Sequence, residues 1–313
     1  MKSFVVAAMA ALTVSSAAMA QDGDKLLGIV SIAATEANNL RYISGAKAAA
    51  EEAGWEVSVV DAAGSADQAN SAIQNFVGRG ADAIIDMVFP YTSIGAGLAA
   101  ARDAGIPVVT WGGGLGSSVA STNGSGAPIA APVIDKMIED LGGSGSILAL
   151  TYRTGEVCRN RETLLDEKLT AYPDIEVVKN EVRIPGYFED GAQYANAWLA
   201  SRPPGDEKLA IWGCWDDPAI GAIGSLRQQG RTDVMVYGVN GNAQALENIR
   251  RGHMNATAWE DSYTEGSQMV KLLGEIIEAG DSWEPKAAEV PAILVTQDNI
   301  ETFLEENPDA YGK

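Results

Sequence analysis

Short runs of β-branched and aliphatic residues alternate along this chain with Ala-rich stretches whose apolar positions recur every three to four residues. Those two periods mark strands and helices taken in turn. The spacing predicts strands over 25–32, 55–60, 83–88 and 106–110, with helices over about 40–54, 67–80 and 93–105 between them. Gly54, Gly80 and Gly105 end these helices immediately before the next strand, where a left-handed residue is required. Residues 117–126, rich in Ser, Asn and Gly, break the rhythm. After a helix expected near 127–141 the cycle restarts, with strands over 146–151, 175–183, 208–213, 234–239 and 256–260. Its helices are expected near 158–171, 190–201, 218–229 and 242–251. A helix over 264–279 and a strand over 292–295 stand outside both cycles. Such alternation builds a parallel sheet covered by helices on both faces. Two runs of it imply an α/β protein of two similar doubly wound parallel-sheet lobes.

The N-terminus follows another logic. Lys2, an apolar run over 4–14 and the small-x-small step Ala18-Met19-Ala20 form a signal peptide expected to be cleaved after Ala20. The run is too short to span a bilayer core of about 30 Å, and no cysteine follows the cut to carry a lipid anchor. A soluble, exported mature chain is expected. Its balance is acidic, 42 Asp+Glu against 22 Lys+Arg, which repels phosphate backbones and anionic lipid and argues against nucleic-acid and membrane-surface partners.

In an oxidising compartment the two cysteines, Cys158 and Cys214, are expected to pair. The first and third strands of a doubly wound lobe are neighbours. Cys158 follows the first strand of the second lobe, and Cys214 ends its third. The one histidine, His253, sits in a helix-ending turn, so a triad or a histidine-built zinc site has almost nothing to draw on. The glycine runs 112–116 and 142–145 fit neither Gly-x-Gly-x-x-Gly opening a helix nor a P-loop, and read as tight turns. No cofactor and no metal are expected.

Ligands of open α/β sheets sit beyond the carboxyl ends of the strands. The candidates there are Glu36, Asn38, Asn39, Phe89, Tyr91, Trp111, Arg161, Phe188, Trp215, Asp216, Asn240 and Glu260. Flat rings for the C–H face of a sugar, with planar polar groups for its hydroxyls, are the chemistry of carbohydrate capture. No nucleophile–base pair accompanies them. Glu36, Asp216, Asp217, Glu260 and Asp261 fall on no fixed spacing that a glycosidase pair or a calcium loop uses. Arg159 either faces the cleft beside Arg161 or solvates the start of its helix.

Several segments resemble one family over nearly the whole mature chain. They are 76–85 (FVGRGADAII), 104–110 (AGIPVVT), 215–222 (WDDPAIGA) and 234–241 (VMVYGVNG). All are similar to the ribose- and galactose-type periplasmic binding proteins of sugar ABC importers, the type I fold. The resemblance implies three crossings between lobes, near 121–123, 259–261 and 290–293. It divides the chain into 21–122 plus 261–290 and 123–260 plus 291–313, and returns the helix over 264–279 to the first lobe. By position, Arg161 matches an arginine that clamps sugar hydroxyls and Phe188 a stacking aromatic. Trp215 stands for a polar contact, with Asp216 next to it. Asn240 occupies a usual aspartate position and Glu260 a common glutamine position. The first loop, 36–39 (EANN), lacks the usual stacking ring, and Trp111 replaces an aspartate.

The function implied is periplasmic capture of a pentose-sized monosaccharide or a polyol by hinge closure, for delivery to an inner-membrane ABC permease, by a monomer that is not an enzyme. The rivals are a chemotaxis or signalling sensor on the same fold and, with less support, an exported glycoside hydrolase. A sugar-responsive repressor would carry a DNA-binding helix pair where this chain has its signal peptide.

Overall fold

The structure is a computed structural model that describes residues 25–124, 126–288 and 291–311. The signal peptide expected over 1–20 lies outside the described residues. The chain opens with β1 (Leu26–Ser31), α1 (Ala37–Glu52), β2 (Glu56–Asp61), α2 (Ala66–Gly78), β3 (Ala83–Met87), α3 (Gly95–Asp103), β4 (Val108–Trp111) and β5 (Ser121–Asn123). There follow α4 (Ala127–Leu141), β6 (Gly145–Thr151), α5 (Glu156–Leu169), β7 (Ile175–Glu181), α6 (Tyr187–Leu199), β8 (Leu209–Gly213), α7 (Asp216–Gln229), β9 (Val234–Asn240), α8 (Ala243–Arg250) and β10 (Ala256–Trp259). The last elements are α9 (Ser262–Ala279), β11 (Lys286–Ala287), β12 (Ile293–Thr296) and α10 (Ile300–Glu306).

Two sheets result, in the orders β11-β5-β4-β3-β1-β2 and β12-β10-β9-β8-β6-β7. Every neighbouring pair is parallel except β10 with β12. Helix α4 packs against β8, β9 and β10, whereas α9 packs on α1. The chain therefore passes from one sheet's layer to the other between β5 and α4, between β10 and α9, and between β11 and β12. Leu27, Ile29, Ile84, Ile85 and Val109 fill the first core, and Ile147, Leu148, Ile211 and Val236 the second. These near-continuous apolar runs are what strands buried on both faces require.

The helix-ending turns form as expected: Gly54, Gly80 and Gly105 hold φ of 74°, 73° and 71°. The differences in extent are local. Helix α6 begins at Tyr187, three residues earlier than predicted, because Gly186 at φ 123° lets the chain enter the helix directly after Pro185. Strands β5 and β11 are too short to carry a period-2 signal, and α10 spans only seven residues. Each lobe also contains one helix pair in backbone contact. A Cβ on Gly45 or Gly266 would overlap the Tyr263 or Tyr42 carbonyl where α1 crosses α9, and one on Gly191 or Gly221 would overlap the Pro218 or Phe188 carbonyl where α6 meets α7. Only glycine permits that approach.

Candidate functional site

The carboxyl ends of both sheets face each other across a cleft, and the lobes are closed over it. Glu156 N donates to the Val88 carbonyl across the cleft at 3.1 Å. Between the lobes lies a cavity of about 50 Å³. A buried water needs roughly 10–15 Å³ by the same measure, so this is room for a few waters or one small solute. Its polar lining is Glu36, Asn39, Arg161, Asn240 and Glu260, and its aromatic lining Trp111, Tyr152 and Trp215.

The polar groups form one network. Arg161, buried on α5, donates from Nη1 to the Cys214 carbonyl at 2.7 Å and to Asn240 Oδ1 at 2.9 Å. Its Nε donates to Gly126 O at 3.4 Å, and Nη2 stands 3.9 Å from Glu260 Oε1. Glu260 Oε1 accepts from Asn240 Nδ2 at 2.6 Å and, from the other lobe, Asn38 Nδ2 at 2.7 Å. These bonds fix the amide orientations and leave Nη2, among the described residues, as the guanidinium nitrogen without a hydrogen bond. Asn240 holds φ of 107°, a left-handed backbone that asparagine tolerates better than most residues.

The disulfide is present: Cys158 on α5 joins Cys214 at the end of β8, with Cα atoms 5.4 Å apart. It forms as the neighbouring places of β6 and β8 require. The same end of α5 thus carries the bond, a lining surface and, one turn on, Arg161.

Trp111 ends β4 inside the strand rather than after it. One face of its indole stacks on Tyr42, centroids 4.7 Å apart at 28°, and Nε1 donates to Glu265 Oε2 at 2.5 Å. Asn123 Nδ2 meets the Glu265 backbone oxygen at 3.3 Å. Glu265 therefore holds an aromatic wall of the cavity in register with β5. Glu265→Gln keeps an acceptor for the indole and is expected to preserve solute affinity. Glu265→Leu strands a buried N–H, at a cost of about 1–3 kcal/mol. Calorimetric titration of both variants checks this; equal affinities would show that Trp111 needs no such support.

Residues 29–281 match the periplasmic binding protein domain. The chain belongs to that family. A xylitol-binding protein of Mycolicibacterium smegmatis is 27% identical over 240 residues, covering 75% of this chain and 67% of its own. A D-apiose import binding protein of Actinobacillus succinogenes is 28% identical over 264 residues, covering 82% of this chain and 83% of its own. The fold is that of an ABC transporter solute binding protein from Agrobacterium vitis with bound allitol, at TM-score 0.83 and 24% identity, over 90% of this chain and 99% of that one. The family is one of binding proteins, and no helix among the described residues is long and apolar enough to cross a membrane.

Within this binding-protein cleft the expected residues divide. Glu36, Asn39, Trp111, Arg161, Trp215, Asn240 and Glu260 line the cavity; Asn38 reaches it only through Glu260. Asp216 does not line it. Fully buried at the start of α7, it accepts from Asn242 N at 2.8 Å and Thr257 Oγ1 at 2.7 Å, and so braces the floor from behind. Phe89 is wholly buried because Val88, at φ 77°, turns its own side chain to the cleft and sends the next one into the core. Tyr91 lies over Gly114 and Gly116 on the outer surface. Phe188 packs on Tyr187 at 5.1 Å, and Tyr187 is the ring that meets Trp215, edge-on at 5.5 Å; Phe188 is thus one ring removed. Arg159 pairs with Glu156 on the exposed side of α5. Sequence reasoning missed Ile32, Val88, Tyr152 and Ile184, each one or two places from a strand end that it did inspect.

The site is rich in buried carboxyls. Burial pushes Glu36 up to about 8, with Asp217 adding to it, against the two backbone N–H groups of Asn39 and Asn38 that its carboxylate accepts. Burial also raises Asp216 and Asp217 to about 7, with Arg161 opposing it at Asp216. The ordinary values are 4.5 and 3.8. Between those values and the raised ones the folded chain holds protons that the unfolded chain has released, so stability falls with rising pH across that window. The melting midpoint is expected to drop from about pH 5 to about pH 8, with a shallower slope in Glu36→Gln. A midpoint that climbs over that range would contradict this.

Proposed function

We propose that this protein captures one small, neutral, polyhydroxylated solute, a pentose-sized monosaccharide or a short polyol, between its lobes and delivers it to an inner-membrane ABC permease. The carrying observation is the closed cavity itself. One buried network of Arg161, Asn240 and Glu260 lies in it with the rings of Trp111 and Trp215. Such a site gives directional hydrogen bonds to hydroxyls and flat apolar faces to C–H groups. The xylitol- and D-apiose-binding relatives, whose named solutes carry five carbons, support the size class. The lobes 21–122 plus 261–290 and 123–260 plus 291–313 act as rigid bodies about the three crossings. The protein works as a monomer that carries its solute without transforming it, in keeping with its family of binding proteins.

A thermal-shift panel of pentoses, hexoses and polyols on the mature protein tests this reading. A solute at 100 times its Kd stabilises the folded state by about 2.7 kcal/mol, an easily read rise in the midpoint. Response only to anionic or strongly apolar solutes would overturn it. Periplasmic export is part of the same proposal: N-terminal sequencing of the native protein is expected to begin at Gln21, after the Ala18-Met19-Ala20 step. Finding Met1 there would refute cleavage.

A further inference from the structure

One buried carboxyl of the first lobe lies outside the cavity network. Asp86, fully buried on β3, stands in register with Val30 on β1 and Thr110 on β4. Its face of the sheet is the one α2 covers, because Gly28, in register with Ile84, lies against Phe76. The charged groups on α2 and on α3 beside it, Asp67, Arg102 and Asp103, are all exposed. Among the described residues no donor reaches either carboxyl oxygen of Asp86, and burial pushes the group well above its ordinary 3.8. A carboxylate so placed, without cation or donor, costs more than keeping its proton. The neutral acid then has an O–H to give.

An acceptor is at hand. A Cβ on Gly113 would sit 2.7 Å from Asp86 Oδ2 and 2.5 Å from the Phe89 carbonyl oxygen, so both oxygens border one point beneath the 112–116 turn. Between them in the chain stands Val88, whose φ of 77° is costly for a β-branched residue and persists only where the surroundings enforce it. Val88 lines the cavity with its side chain. Its N–H donates to the Trp111 carbonyl at 2.8 Å, and its own carbonyl accepts the bond from Glu156 N that crosses the cleft.

Resting on the reading above, we propose that Asp86 is a positioning residue for solute capture: its protonated carboxyl donates to the Phe89 carbonyl and holds the strained Val88 turn against which the other lobe closes. Asp86 itself never touches the solute.

The test is calorimetry with the best sugar or polyol of the panel on the mature protein, Asp86→Asn and Asp86→Leu. Asparagine keeps a donor at that place and is expected to retain the affinity of the parent. Leucine, of similar size but without a donor, is expected to bind about tenfold more weakly. A position that is merely buried would not show this loss, since leucine suits it better than a carboxyl. The infrared difference between the parent and Asp86→Asn at neutral pH is expected to carry the band of a protonated carboxyl. A carboxylate band in its place overturns the proposal, whether or not the leucine variant folds. So does a leucine variant that binds as tightly as the parent, or an asparagine variant that binds as weakly as leucine; these results leave the sugar–polyol reading standing. If no sugar or polyol binds the parent, that reading falls and this proposal with it.

Discussion

Replacing Arg161 by alanine is expected to weaken solute binding by well over tenfold, about 2–4 kcal/mol. The side chain is 2% exposed, and its Nη1 donates to Asn240 and to the Cys214 carbonyl. Truncation removes donors from the solute. It also frees the Asn240 amide, whose orientation the Arg161 bond defines, and leaves Glu260 without its nearby cation at 3.9 Å. Burial already pushes the Glu260 carboxyl up, and Arg161 is the largest influence holding it down. Without Arg161 that carboxyl takes a proton more readily and accepts fewer hydrogen bonds. Stability should fall as well, because removing one member of a buried charge pair is destabilising. Arg161→Lys serves as the comparison: it keeps the charge but lacks the planar fork that reaches two acceptors at once. Calorimetric titration with the best solute of the panel decides the matter. An alanine variant that binds as tightly as the parent would show that the network does not hold the ligand.

The fold was legible because each device that makes it is local. Period-2 and period-3.6 runs, and the left-handed turns at Gly54, Gly80 and Gly105, announce themselves within a few residues. The site was partly legible for a related reason: strand ends can be counted along the chain, and seven of the twelve expected residues reach the cavity. The remainder depends on facts with no local signature. Nothing in the sequence says that Val88 adopts φ 77° and exchanges places with Phe89. Asp216 and Asn240 both sit at strand ends with side chains able to bind hydroxyls. Only the tertiary positions of Thr257 and Asn242 turn Asp216 into a brace and leave Asn240 at the surface of the cavity. Phe188 lies one helical step beyond Tyr187, too small a difference for a residue-type argument to resolve. The network around Glu265 joins residues 111, 123 and 265, and such long-range polar partners are invisible to any period.

Loss of the Cys158–Cys214 bond is expected to lower stability by about 4 kcal/mol in the chain-entropy account, given a closed loop with a separation of 56 residues. A functional loss should accompany it. Cys158 and Arg161 lie three residues apart on α5, hence on neighbouring parts of one helix face. The disulfide therefore ties to β8 the same helix turn from which Arg161 reaches the Cys214 carbonyl at 2.7 Å. Cys214 is itself anchored to the sheet, its N–H donating to Leu150 O at 3.0 Å. Reduced, α5 keeps only noncovalent contacts to that strand end, and the guanidinium loses part of its preorganisation before the solute arrives. A Cys158→Ala, Cys214→Ala variant should accordingly show an earlier denaturant midpoint and weaker solute binding, with the parent under reductant behaving alike. Urea unfolding with and without reductant, read beside calorimetry, separates the two effects. Mass spectrometry that finds two alkylatable thiols in the unreduced, denatured native protein would remove the bond from the account. If the double variant matches the parent in affinity while losing stability, the disulfide braces the lobe but does not position Arg161.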